Sequence, residues 1–328
     1  MYALECTIFN VEHGFCSFVR SPNGHGLLID CGSRARFSPA KWVNANYTTT
    51  FGRENIAYFE GRKIAEAYFT HLHLDHFDDI GSLRESVKPK HIVTDKRTIK
   101  IVEEKITEEE DEHNKEVMQD FVRFTKEYSE DAKTKVPWGF DYFSWKQLDF
   151  DAADEVSASP DELINNRSFL IAVGYAGKKI LFTGDMMVEG WEKALELPTM
   201  RRILSGTNFF VAAHHGHKSG FTRCILEHSG IPDLYIVSAR SGDGHVDSAY
   251  SARENSNGFL LQGDTEKSRM VSTRDRRNSI RITIHQDSRA SVRIIDIPDN
   301  LNENQCRLRE RRTDRELRKL RLPEGLRR

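Results

Sequence analysis

The 328-residue chain has no apolar run long enough to cross a membrane, and its mean hydropathy of −0.58 describes a soluble protein. Charge of one sign is missing as well. Lys and Arg number 48 against 50 Asp and Glu, so no global bias draws the chain to nucleic acid or to an acidic surface. Cysteine is sparse: Cys6, Cys16, Cys31, Cys224 and Cys306 are odd in number, scattered, and never spaced Cys-x-x-Cys. That pattern excludes a disulfide frame and a thiolate zinc site, and it predicts reduced thiols in a cytoplasmic protein. Glu5 places a charge close behind Met1, so no secretory leader is expected. No Gly-rich stretch matches a P-loop. No internal repeat recurs, and the length allows one large domain or two ordinary ones.

What is present is concentrated. A short β-like run, Ala67-Tyr68-Phe69, leads into Thr70-His71-Leu72-His73-Leu74-Asp75-His76-Phe77-Asp78-Asp79. Neutral imidazole and carboxylate are the usual ligands of zinc-like and manganese-like ions. On an extended strand end His71 and His73 project the same way, because side chains alternate with period two. Asp75 and His76 can turn towards a second ion once the chain leaves the strand. A solvated loop or a set of core histidines would explain one His, but not four liganding residues in this order.

His71-x-His73-x-Asp75-His76 resembles the signature of the metallo-β-lactamase superfamily, whose members are mostly dinuclear metallohydrolases. The resemblance implies an α/β, αββα four-layer sandwich over 1–297, and two divalent ions, zinc or manganese, as cofactors. The opening agrees. Residues 4–11 and 15–19 are rich in β-formers around the turn Glu12-His13-Gly14, and Leu27-Leu28-Ile29 runs into Asp30-Cys31-Gly32. This looks like the branch of the ComEC-type competence hydrolase domain, with Asn10 and Phe15 where acids are expected. Asp30 can orient a ligand from behind or cap its strand end.

Further along, Asn165-Asn166-Arg167-Ser168-Phe169-Leu170-Ile171-Ala172-Val173 reads as a strand. A hairpin turn at Ala176-Gly177 then leads to Lys178-Lys179-Ile180-Leu181-Phe182-Thr183-Gly184-Asp185. In the family the Asp of this Gly-Asp bridges both ions, so the resemblance assigns that role to Asp185. A carboxylate with two oxygens can hold two cations about 3.5–4 Å apart. Many members place a third His of the first site just before this hairpin. This chain has Asn165, Asn166 and Ser168 there, which leaves one ion with His71, His73 and Asp185 and predicts weaker affinity. The strand Phe209-Phe210-Val211-Ala212-Ala213 delivers His214-His215-Gly216, similar to the branch's His-His-Gly motif. One of the two imidazoles should ligate the second ion with Asp75 and His76, the other should face substrate. His215 is the preferred ligand, although both remain candidates. His217 stands where the family has Ser. Lys218 is placed to meet a negative substrate or is an ordinary surface lysine. His245, in a loop like the family's Gly-His-Pro with Val246 for Pro, is a candidate leaving-group acid.

Three regions are less defined. Residues 33–60, with Phe37, Trp42, Tyr47, Phe51, Tyr58 and Phe59, are expected to form a loop near the site mouth. Residues 97–155 read as a helical insertion with Ile101, Ile106, Val117, Phe121 and Phe124 as packing positions. Its acidic run Glu108-Glu109-Glu110-Asp111-Glu112 reads as a solvated helix face, and its aromatics Trp138, Phe140, Tyr142, Phe143 and Trp145 as core or a substrate groove. The tail, 298–328, carries ten basic residues against five acids over 301–328. It reads as helical or disordered: a nucleic-acid contact, a partner helix, or a solvated end. Insertion and tail are the candidate surfaces for a protein partner.

The chemistry expected is hydrolysis by a metal-bound hydroxide, with Asp75 or the substrate-facing His of the 214/215 pair managing protons. The branch resemblance and the basic residues Arg274, Arg276, Arg277, Arg281 and the tail point to a phosphodiesterase or nuclease acting on DNA or RNA. The alternatives are a small-molecule hydrolase of a lactone, thioester or phosphoester, and a metal-stabilised scaffold without turnover. No membrane partner is expected.

Overall fold

The computed structural model describes residues 3–50, 64–128, 136–242, 244–274 and 278–297. The first part lays down β1 (Ala3–Ile8), β2 (Ser17–Arg20), β3 (Gly26–Ile29), α1 (Pro39–Thr50), β4 (Glu66–Tyr68), α2 (Ile80–Ser86) and β5 (His91–Val93). Two longer helices follow, α3 (Lys96–Glu108) and α4 (Glu112–Lys126), then β6 (Tyr142–Lys146), α5 (Phe150–Glu155) and α6 (Pro160–Asn166). Next come β7 (Leu170–Tyr175), β8 (Lys178–Phe182), α7 (Val188–Leu195), α8 (Pro198–Leu204), β9 (Phe209–Val211), α9 (Cys224–Ser229) and β10 (Leu234–Val237). The small pair β11 (Phe259–Leu260) and β12 (Lys267–Ser268), then β13 (Met270–Ser272), β14 (Asn278–His285) and β15 (Ala290–Asp296), complete the order.

Two sheets result. One has the order β15-β14-β1-β2-β3-β4-β5, the other β13-β10-β9-β8-β7-β6. The period-two alternation of apolar residues decides how they stack. Leu27 and Ile29 of β3 share a buried cluster with Ile171 and Val173 of β7, and with Ile280, Ile282 and Ile284 of β14. Leu28, between them in sequence, packs instead with Trp42, Leu83, Val102 and Phe121 of the first helical layer. On the second sheet Leu170, Ala172 and Leu181 turn outward to Trp191, Ile203 and Ile225. Helices, sheet, sheet and helices therefore form the four-layer αββα sandwich. No helix among the described residues is long and apolar enough to cross a membrane. Cys6, Cys16, Cys31 and Cys224 are free thiols.

Several expectations are corrected. Asn165 and Asn166 end a helix rather than begin a strand, because Ser159 caps the helix N-terminus and Pro160 opens it. The helical stretch from 97 is two helices, and the acidic run is the junction between them, where Asp111 caps α4 by accepting from Asn114 N. Within the stretch read as an insertion, residues 142–146 form the edge strand of the second sheet, paired antiparallel with β7. Trp138 is buried and stacked on Phe140, whereas Trp145 is exposed. Phe37 and Trp42 belong to the core against Phe9, at ring distances of 5.9 and 5.2 Å, and not to a mouth loop. Arg281 is buried beside Thr7, its Nε donating to Thr7 Oγ1 at 3.2 Å, so it offers no surface charge to a phosphate. Phe51, Tyr58, Phe59, Arg276, Arg277, Cys306 and the basic tail lie outside the described residues.

Candidate metal centre

Strands β3, β4 and β5 run parallel, as do β8, β9, β10 and β13. The carboxyl ends of parallel strands are where such folds gather their functional loops. Here the loop after β3 carries Asp30, that after β4 Thr70-His71, that after β8 Asp185 and that after β9 His214-His215. A single 3-10 turn, Leu74–His76, aims Asp75 and His76 back at the others. The backbone of Asp75 is gripped from both sides by glycines. A Cβ on Gly14, whose φ is +112°, would stand 2.2 Å from the Asp75 carbonyl oxygen, and one on Gly32 2.4 Å from it. His214 and His215 both adopt left-handed φ, 50° and 53°, followed by Gly216. Such backbone is unfavourable for a side-chain-bearing residue and persists where the surroundings enforce it. The His214 N–H donates to Gly184 O at 3.1 Å, tying that turn to the loop of Asp185.

The donor atoms converge with a characteristic spacing. His71 Nε2 lies 3.6 Å from Asp185 Oδ2, and His76 Nε2 lies 3.5 Å from Asp185 Oδ1. His215 Nε2 is 3.3 Å from Asp185 Oδ2 and 3.4 Å from Asp75 Oδ2. His76 Nε2 is 3.4 Å from His215 Nε2 and 3.8 Å from Asp75 Oδ2. Ordinary N–H···O hydrogen bonds peak near about 2.9–3.0 Å. Two ligands about 2.1 Å from one tetrahedral ion stand about 3.4 Å apart. The spacing therefore fits shared ligation better than direct bonding. His71 Nε2 is also buried without a hydrogen-bond partner, which an ion would supply. His71, His76 and Asp185 form one group able to hold a cation, and Asp75, His76 and His215 a second. Nitrogen and oxygen donors of this kind suit zinc or manganese.

The electrostatics of the cluster agree. Burial alone would depress the His76 imidazolium, but the carboxylates of Asp185, Asp75 and Asp30 outweigh it and raise its pKa to about 9. Burial likewise opposes charge on His215, and Asp185 and Asp75 again win, holding it well above the usual range. Burial would raise Asp185 and Asp75, yet the neighbouring imidazoles pull both well below the ordinary carboxylate range. His71, buried and beside His76, is pushed well below 6.5. Carboxylates this depressed are sites that demand positive charge, and a cation must displace protons to enter.

Behind the donors, Asp30 is fully buried and accepts from His76 Nδ1 at 2.8 Å, from Thr70 N at 2.6 Å and from Thr70 Oγ1 at 2.6 Å. This leaves His76 Nε2 for the centre. Asp30→Asn is expected to lower divalent-metal affinity about 10–100-fold, as read by competition with a chromophoric chelator. Unchanged affinity would show that Asp30 only ends its strand. Ser168 and Asn166, standing where a third His is often found, serve the bridging loop: Ser168 Oγ accepts from Asp185 N at 2.9 Å and Asn166 Oδ1 from Met187 N at 3.3 Å. A Cβ on Gly184 would lie 2.6 Å from that serine oxygen.

The remaining sequence candidates are dispersed. His73 turns away from both donor groups, its Nε2 standing 3.3 Å from Asp161 Oδ1. His214 Nδ1 bonds Ser219 Oγ at 2.8 Å, and His217 Nδ1 bonds the same oxygen at 2.7 Å. His245 is exposed, its ring 5.9 Å from that of His217. Lys218 is exposed on the following turn. Two residues not singled out in the sequence join the site. Asp161, on α6, engages both His73 and Lys105. His13, in the β1–β2 turn, puts its ring 5.1 Å from that of His215 and its Nε2 3.8 Å from Asp75 Oδ2. Neither belongs to a spaced motif, so only the folded chain reveals them.

No curated protein matches the chain. Among solved structures, a protein described as a metal-dependent hydrolase from Parabacteroides distasonis ATCC 8503 is similar at 14% identity, covering 74% of this chain and 86% of that one with a TM-score of 0.35. A protein described as a metallo-β-lactamase from Thermotoga maritima is similar at 10% identity, covering 72% and 95% with a TM-score of 0.36. The family model of the metallo-β-lactamase superfamily matches residues 10–219, nearly two thirds of the chain, including His71, His73, Asp75, His76, Asp185 and His215. The chain belongs to the metallo-β-lactamase superfamily, as a metal-dependent hydrolase.

Proposed function

We propose that this hydrolase is a two-ion phosphodiesterase, in which Asp185 could serve both ions when they are bound. His71, His76 and Asp185 would hold one ion, and Asp75, His76 and His215 the other. The observation that carries the reading is the set of donor separations from 3.3 to 3.8 Å around Asp185 and Asp75. When bound, such a pair of cations supplies an activated water and stabilises charge developing on the attacked group. The chain's own residues do the rest. Asp30 fixes the His76 ring, and Ser168 holds the Asp185 backbone. Ser219 Oγ, between His214 and His217, can accept from one imidazole while donating to the other. Through this link His217 could resupply His214 with a proton for the leaving group, and the exposed His245 ring lies 5.9 Å from that of His217. Lys218 offers a charge to a phosphoryl oxygen at the rim.

The phosphodiester preference rests on resemblance of the strand-end motifs to the ComEC-type branch. A second reading, hydrolysis of a small molecule (lactone, thioester or phosphoester), is favoured by two observations. Arg281 is buried, and acidic residues rim the cavity beside His73. Full-length protein reconstituted with manganese or zinc is expected to cleave a chromogenic phosphodiester. Cleavage of plasmid or single-stranded DNA as well would assign a nuclease, and cleavage of the chromogenic substrate alone a small-molecule enzyme. Bound metal with no turnover on phosphodiesters, esters or lactones would leave only the scaffold reading.

A further inference from the structure

A cavity of about 660 Å³ lies beside the metal centre, with Asp75 of that centre and the neighbouring His73 in its wall. Its floor is apolar: Leu72, Phe77, Val102 and Met118 are all buried there, the last two contributed by α3 and α4. Its rim is acidic. Glu108, Glu109 and Glu110 stand at the junction of those helices, together with Asp161 and a single cation, Lys105. That lysine is already paired with Asp161. Among the described residues no basic side chain pairs with the three glutamates, and Glu109 accepts only the Asp111 N–H at 2.9 Å. A polyanion entering by this route would meet like charge, whereas a positive group would be drawn in.

We infer that this cavity is the binding site for the non-reacting end of the substrate, an organic cation carried on an apolar stem. The inference rests on the hydrolase reading for its orientation. The scissile group lies at Asp75, the stem on Leu72, Phe77, Val102 and Met118, and the ammonium at the glutamates. Apolar burial supplies attraction without direction, and the rim charge selects the cation over a neutral group of like shape. The acidic run is then part of a binding site and not a merely solvated surface.

The test is calorimetric binding of benzyltrimethylammonium and of benzyl alcohol to the metal-loaded full chain at low salt. The cation is expected to bind about tenfold more tightly than the alcohol, and the advantage should shrink as salt rises. In the Glu108→Gln/Glu109→Gln/Glu110→Gln variant the advantage should vanish while metal content is unchanged. As a separate check on the floor, Met118→Trp should weaken both ligands together. Equal binding of the two probes, or a cation preference that survives loss of the glutamates, overturns the inference. Cation binding without hydrolysis of any ester or phosphoester would sink the hydrolase reading and leave the pocket standing. Turnover without cation preference would do the reverse.

Discussion

Asp185→Asn is expected to lower hydrolytic turnover by about a thousandfold or more, since one cation's contribution to charge stabilisation is several kcal/mol. It should also take the metal content below two ions per chain. The reason is local. Asp185 is buried, and its two oxygens meet different imidazoles: Oδ1 faces His76, while Oδ2 faces His71 and His215. An amide keeps the shape but presents one nitrogen where an anionic oxygen is needed, against imidazoles that its charge had balanced. The variant should still fold, because the Asp185 backbone N–H remains held by Ser168. Turnover within tenfold of the parent, in a variant that keeps two ions, would remove Asp185 from the bridging role.

Asp95→Ala should destabilise the protein by about 3–5 kcal/mol, because it strands a buried cation. Asp95 and Arg167 are 5% and 7% exposed, with Arg167 Nε donating to Asp95 Oδ2 at 2.7 Å. Arg167 also donates to Gln147 Oε1 at 2.8 Å and to Leu148 O. Asp95 Oδ1 meanwhile caps α3 by accepting from Arg97 N at 3.1 Å, a contact worth about 1 kcal/mol. Arg167 immediately precedes Ser168, so the pair joins the first helical layer to the residue that holds the Asp185 loop. The thermal midpoint should fall by roughly 10 °C. Asp95→Ala/Arg167→Met should recover part of the loss, since no unpaired charge then remains buried. A single variant within about 0.5 kcal/mol of the parent would place this pair among the near-neutral ones.

What the sequence discloses about this site follows from how its parts are spaced. His71, His73, Asp75 and His76 are legible because they sit within one strand end and its following turn. Asp185 is legible because a glycine and an apolar strand announce where it must emerge. His214 and His215 are not separable by pattern, since both follow the same strand. The left-handed turn, and the bond of His215 Nδ1 to Ser238 O at 3.2 Å, set which ring faces Asp75 and Asp185. Asp161 and His13 are single residues carried into place by tertiary packing, with no local signal. His73 fits the motif yet turns to Asp161, a partner 88 residues away in sequence. Arg281 is misread from composition because its own side chain is buried beside Thr7, which charge counting ignores. The layers, by contrast, are written into the alternation of strands such as Leu27-Leu28-Ile29, where each side chain finds its own buried cluster.

The most direct test of the two-ion centre is the metal content of the full-length protein after reconstitution with zinc or manganese and removal of excess metal. Two ions per chain are predicted, with the second lost in Asp185→Asn. A well-folded, reconstituted sample that never holds more than one ion per chain would contradict the account.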